Sequence, residues 1–161
     1  IVFLSDHGYH LGEHTFWQKS NLHEEVVRVP LIVSVPGIQP GKTNAITELV
    51  DIYPSLAELA GLKVPAEVQG KSFVPVLRNP SVSVKTGALS FHRGIALRED
   101  QFALMRYSDG SKELYDMKKD PLQLSNLAAN AAYATDLEKI QKRLQGRMRQ
   151  EKISIKLAPS K

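Results

Sequence analysis

A chain of 161 residues, 42% apolar and 24% charged, is long enough for one well-buried domain or a domain with a small appendage, and its composition is that of an ordinary globular protein. No apolar run approaches the roughly 20 residues of a membrane-spanning helix, and the absence of cysteine excludes disulfides and thiolate metal sites without fixing a redox compartment. The formal net charge of +4 is uneven: between Lys118 and Lys161 ten Lys or Arg stand against four Asp or Glu, so the rest of the chain is slightly acidic.

Ile1, Val2, Phe3 and Leu4 form an apolar run that reads as a strand and ends at Ser5, Asp6, His7 and Gly8. A strand with no preceding turn, cap or leader reads as the start of a fragment, with any secretory signal lying upstream. Residues 8–22 are expected to be a long loop, broken by Gly8 and Gly12. Val29 to Val35 gives a second β-branched run between Pro30 and the Pro36–Gly37 pair. Thr47 then precedes Leu49, Val50, Ile52, Leu56, Leu59 and Ala60 at helical spacing, with Gly61 as the stop and a kink expected at Pro54. Strand, long connection, strand and helix make an α/β pattern.

Val64 to Val84, punctuated by prolines, reads as a connection. Ala88–His92, Ile95–Arg98, Phe102–Tyr107 and Glu113–Met117 are short runs between turn signals, of which Asp109–Gly110 is the sharpest, and together they predict an antiparallel meander. Asp136 to Glu151 places Leu137, Ile140, Leu144 and Met148 on one helical stripe, with Lys139, Lys142, Arg143, Arg147 and Arg149 around the other faces. That helix is expected to cover one face of the meander, and Ile153, Ile155 and Leu157 alternate as a last edge strand or extended tail. A basic tail attracts anionic partners such as nucleic acid, a sulfated polysaccharide or a membrane surface. The amphipathic pattern favours a solvated helix instead, with neither nucleic acid nor membrane as partner. The domain expectation is residues 1–80 as part of a large α/β domain and residues 81–161 as a smaller antiparallel-sheet subdomain with its helix.

The chemistry concentrates after the first strand, since open α/β folds place ligand sites at the carboxyl ends of their strands. Asp6 and His7 could hold a divalent cation if further ligands arrive from elsewhere. The same tripeptide with Gly8 also suits an ordinary turn, Asp6 capping backbone N–H groups. Lys19 alone would be a solvated loop lysine. His10, Leu11, Gly12, Glu13 and His14 spell H-x-x-E-H, an inverted zinc-peptidase motif, but that chemistry requires a helix to align both imidazoles, and Gly12 sits in its middle. His14 suits a loop position orienting its neighbours; His23 and His92 show no partner pattern and read as structural.

The run from Ser5 through His14, followed by Trp17, Lys19, Glu24 to Ile32 and Pro36–Gly37, resembles the sulfatase family of the alkaline phosphatase superfamily, most closely its iduronate-2-sulfatase and choline-sulfatase-like branch. The likeness continues in order through Glu48 to Leu56, Gly70 to Phe73, Glu113 to Asp116, Asp120–Pro121 and Asn126–Leu127. It implies the C-terminal part of an alkaline phosphatase-like α/β/α sandwich followed by a small α+β subdomain. By the same resemblance Asp6 and His7 are metal ligands, the metal being Ca²⁺, although an imidazole suits Zn²⁺ or Mn²⁺ at least as well. Lys19 is the catalytic lysine that contacts the sulfate, and Tyr9 and His14 belong to the substrate-binding surroundings.

The expected substrate is a sulfate ester, with sulfated carbohydrates as one class, and the implied location is periplasmic, extracellular or lysosomal. Oligomeric state is not implied. One departure is decisive for activity. Sulfatases convert a Cys or Ser in a C/S-x-P-x-R motif to formylglycine, and here there is no Cys and no Ser opening that pattern. The expectation is thus the C-terminal portion of a sulfatase, inactive alone. The alternatives are a phosphodiesterase or phosphonate monoester hydrolase of the same superfamily, and a non-catalytic module that binds sulfated glycans through its basic helix.

Overall fold

The computed structural model describes residues 1–155, and its chain folds into two compact units that alternate along the sequence. One comprises residues 1–6 and 30–88, the other residues 7–29 and 89–161. The segment 7–29, grouped by sequence with what surrounds it, clusters with the C-terminal sheet and helix.

In the first unit, β1 (Val2–Leu4) pairs antiparallel with β4 (Leu31–Val33), Phe3 standing opposite Ile32. Both of those side chains are exposed, so this ribbon has an uncovered apolar face and is not the buried strand that its composition suggests. The expected helix near residue 50 is present with different ends. A 3₁₀ turn over Leu49–Asp51 is capped by Glu48, not Thr47, through a reciprocal capping box with Asp51. α2 (Ile52–Leu59) follows directly, so the change of helix type falls before Pro54, which sits in the first turn where its missing N–H costs nothing. Gly61 ends the helix at φ +69°, as anticipated.

The connection 64–84 contains a helix that the sequence reading missed, α3 (Val74–Arg78), with Pro75 in its first turn. It is too short for periodicity to reveal. Its Phe73, Val74 and Val76 are buried with Ala57 of α2 as the core of this unit. Ser55 ties the two helices together, donating to the Asp51 carbonyl at 2.6 Å and accepting the Phe73 N–H at 2.9 Å.

The predicted meander, which belongs to the second unit from residue 89 onward, is β5 (Gly87–Phe91), β6 (Gly94–Glu99), β7 (Phe102–Tyr107) and β8 (Lys112–Asp116), adjacent in sequence order. The β7–β8 turn is the Asp109–Gly110 one, with Gly110 at φ +90°. Alternation divides the sheet into two faces. On one, Leu89, Ile95, Leu97, Phe102, Leu104 and Leu114 pack with Ile140 and Leu144 of α4 (Ala134–Gln150), as the helical stripe predicted. Three basic residues of α4 are paired: Lys142 with Glu138 at 2.7 Å, Arg143 with Glu99 on β6 at 2.7 and 2.6 Å, and Arg147 with Glu151.

On the other face, Ala96, Ala103, Met105, Tyr115 and Met117 pack with Leu22, and Val27 lies against the same cluster. The sheet is therefore covered on both sides, which explains why β6 and β7 each carry four consecutive buried residues. Ile153 and Ile155 pack against the α4 side without forming a strand, and Leu157 lies outside the described residues.

Candidate functional site

Segment 7–29 carries His7, Tyr9, His14 and Lys19. Where a long loop was expected, it contains a small hairpin, β2 (His10–Leu11) and β3 (Trp17–Gln18), closed by a 3₁₀ turn over Glu13–Thr15. Two-residue strands with no alternation to read leave no periodic signal. The segment continues into one helical turn, α1 (Glu24–Val27). It is anchored to the sheet by Arg98 Nε donating to Glu24 at 2.7 Å and by the Glu24 N–H donating to the Gln123 side chain at 2.8 Å.

His7 is half-buried and its ring state follows from its partners. Nδ1 lies 2.8 Å from the Gly8 carbonyl, which can only accept, so Nδ1 carries the proton. Nε2 is then a lone pair, and the Lys19 ammonium donates to it at 2.5 Å. Two of the expected site residues are thus brought together. Asp6, exposed, closes β1 in the first unit, and Tyr9 is exposed in the second. Gly8 fits only as glycine: a Cβ there would run into the Glu25 carbonyl oxygen, while its N–H donates to Val26 at 2.8 Å.

His14 stands elsewhere than at an open surface. Its ring stacks on His23 with centroids 4.2 Å apart, and its Nε2 is 3.6 Å from Glu25. His23, in turn, sets Nε2 3.3 Å from Glu113 on β8. His10 is wholly buried at the centre of this group, edge-on to His14, Phe16 and His23. The H-x-x-E-H pattern forms no helix: Gly12 has φ +126° and His14 φ 54°, which rules out the zinc-peptidase alignment. Sequence reasoning left His10 unassigned and His23 unpartnered; three histidines within one short stretch were the signal that it passed over.

Burial pushes the Glu113 carboxyl up, but hydrogen bonds from His23 and Tyr115 and the His23 charge outweigh it and hold the group below its ordinary 4.5. Burial and the neighbouring Glu113 push the Tyr107 and Tyr115 hydroxyls well up, so both stay protonated donors. Among the described residues no group of three or more His, Asp or Glu is arranged to hold a metal ion. His7 has the ring state that a metal-binding imidazole needs, Nδ1–H held by a carbonyl and Nε2 unprotonated, and the lone pair that a metal would use is the one that the Lys19 ammonium meets here.

Residues 12–152 match the family model described as N-sulphoglucosamine sulphohydrolase, C-terminal. The chain is 34% identical over 169 aligned positions to an N-acetylglucosamine-6-O-sulfatase of Bacteroides thetaiotaomicron, covering 94% of this chain and 30% of that protein. It is 36% identical over 138 positions to a choline-sulfatase of Rhizobium meliloti, covering 81% of this chain and 27% of the relative. A solved structure of a protein in complex with its substrate D-glucosamine-2-N,6-O-disulfate superposes with a TM-score of 0.89 at 32% identity, covering 94% of this chain and 34% of the other. The chain thus spans about a third of the length of these relatives, and its mixed helix-and-sheet fold is that of an alkaline phosphatase-like α/β protein. On the match over most of its length and the ordered likeness in both sequence and fold, the chain belongs to the sulfatase family as its C-terminal part.

Proposed function

We propose that this chain serves as the C-terminal portion of an enzyme hydrolysing sulfate esters, in which Lys19 holds the sulfate and Asp6 and His7 contribute to a metal site. The observation that carries the reading is the 2.5 Å approach of Lys19 Nζ to His7 Nε2. It sets a cation beside an unprotonated imidazole nitrogen whose lone pair would pass to the metal on binding, releasing the neighbouring ammonium for the sulfate, and Asp6 precedes that imidazole in the chain. A carboxylate and an imidazole are a mixed donor set acceptable to Ca²⁺, Zn²⁺ or Mn²⁺, and the remaining ligands would come from outside the described residues.

When bound, such a metal supplies positive charge where negative charge develops on the sulfate oxygens. Lys19 supplies a second positive charge as the S–O bond breaks. Tyr9, exposed beside His7 in sequence, is available to border the substrate. His14 is engaged with His23 and Glu25, which favours a supporting role over direct contact with substrate. The nucleophile, a formylglycine in this reading, would lie outside these 161 residues, since none of them opens the required motif. The likeness to the N-acetylglucosamine-6-O-sulfatase and to the protein bound to D-glucosamine-2-N,6-O-disulfate favours sulfated carbohydrates as the substrate class.

The test is a chimera in which this chain replaces the matching C-terminal part of the Bacteroides N-acetylglucosamine-6-O-sulfatase. Turnover of an aryl sulfate, lost on Lys19→Ala, is expected. A folded chimera whose turnover is indifferent to Lys19→Ala would refute the assignment.

A further inference from the structure

We propose that His10 and Asn21 are positioning residues for Lys19, clamping both ends of the short segment that carries it. On one side, His10 faces Gln18 across the hairpin as its register partner. On the other, the Asn21 side chain meets His10 Nε2, and the Asn21 N–H donates to the Lys19 carbonyl at 3.0 Å. Lys19 is held between two attachments to one buried ring.

The attachment is a close one. Asn21 turns the edge of its amide to His10 Nε2, with Nδ2 at 2.7 Å and Oδ1 at 3.0 Å, and Oδ1 also accepts the His23 N–H at 3.2 Å. His10 Nδ1 has no hydrogen-bond partner and lies 3.9 Å from the Glu13 carboxylate. A buried ring satisfied at one nitrogen and unsatisfied at the other is costly as mere packing. Gln18 adds a second sign of constraint, at φ 141°, a region that a residue with a Cβ rarely adopts unless its surroundings force it. A lysine has a long, freely rotating stem, and its ammonium stays on His7 Nε2 only if its backbone is delivered to the right place.

This inference rests on the proposed role of Lys19 for its functional meaning, but its geometric core stands separately. The experiment uses the full 161-residue chain, ¹⁵N-labelled, with long-range ¹H–¹⁵N spectra reading the ring nitrogens of His7, and titration with inorganic sulfate. Asn21→Ala is the informative variant, because it removes the side-chain attachments to both His10 and the His23 N–H; Asn21→Asp is the control, since its carboxylate still accepts the His23 N–H and can accept from a proton-bearing His10 Nε2. The wild-type chain is expected to show His7 protonated at Nδ1 with a perturbed Nε2. In Asn21→Ala the Nε2 perturbation is expected to disappear and in Asn21→Asp to persist, with the β5–β8 amide signals unmoved in both.

Sulfate affinity is expected to fall about tenfold in Asn21→Ala, matching Lys19→Ala, a change of about 1.4 kcal/mol. An unchanged His7 signature in Asn21→Ala overturns the positioning role whatever sulfate does. If the His7 signature responds but the wild-type chain binds no sulfate, the positioning stands and the sulfate-binding role of Lys19 fails.

Discussion

The imidazoles of His14 and His23 stack 23° from parallel with centroids 4.2 Å apart, and each ring reaches a different carboxylate, Glu25 for the first and Glu113 for the second. Histidine on α1's N-terminal flank is thereby coupled to the last strand of the sheet.

That coupling has a pH consequence through Glu113. Its carboxyl is held below the ordinary 4.5 in the folded chain despite burial, so the folded state binds its proton less readily than the unfolded one. The stability it contributes is complete above its unfolded value and is lost as pH falls through the folded one. Melting temperature should hold steady down to about pH 5 and decline below about pH 4. In His23→Ala the largest lowering contribution is removed while burial and the tyrosine hydrogen bonds remain, and the Glu113 midpoint, followed by carboxyl ¹³C shifts, should move up. A midpoint unmoved in that variant would refute the assignment.

Asp51 is wholly buried, accepting the Glu48 and Lys71 N–H groups at 2.9 and 2.7 Å and pairing with Lys85 Nζ at 2.5 Å. Lys85 also contacts Glu48. Asp51→Ala leaves the buried ammonium with Glu48 alone and strands two backbone donors, and should lower unfolding free energy by about 2–4 kcal/mol in urea titrations. Lys85→Met should cost less, since Asp51 keeps both backbone donors. The reverse order would contradict the reading of Asp51 as the hub.

Gly8→Ala should force the backbone away from Glu25, break the Gly8–Val26 hydrogen bond, and cost about 1–3 kcal/mol. Because Gly8 also accepts from His7 Nδ1, the proton on that ring should lose its fixed place. Thermal melts combined with His7 ring-nitrogen shifts separate the two effects.

The purified 161-residue chain should not turn over an aryl sulfate, with or without added Ca²⁺, because it contains no residue that could become formylglycine in the C/S-x-P-x-R pattern. Turnover that is lost on Lys19→Ala would show that another group serves as nucleophile.

The candidate site was only partly legible in the sequence. Asp6, His7 and Lys19 could be singled out through their ordered resemblance to sulfatases, whereas nothing in residue spacing announced that His10 would be buried or that Asn21 would meet it. Those two acquire their roles from hydrogen bonds that close only when the hairpin forms. His14 was placed near the substrate by resemblance, yet its stacking partner His23 had looked like an isolated structural residue.

The sequence alone determined the elements whose signal is local and repeated: the α4 stripe through Ile140 and Leu144, the four strands of the meander, and the Asp109–Gly110 turn. Each is written in a period of 3.6 or 2 residues or in a single backbone-specific dipeptide. Tertiary structure decided what covers the second face of that sheet, the register of the tiny β2–β3 hairpin, and the meeting of Lys19 with His7. These depend on contacts such as Arg98–Glu24 and Glu24–Gln123, whose partners lie 74 and 99 residues apart and leave no mark on the local pattern.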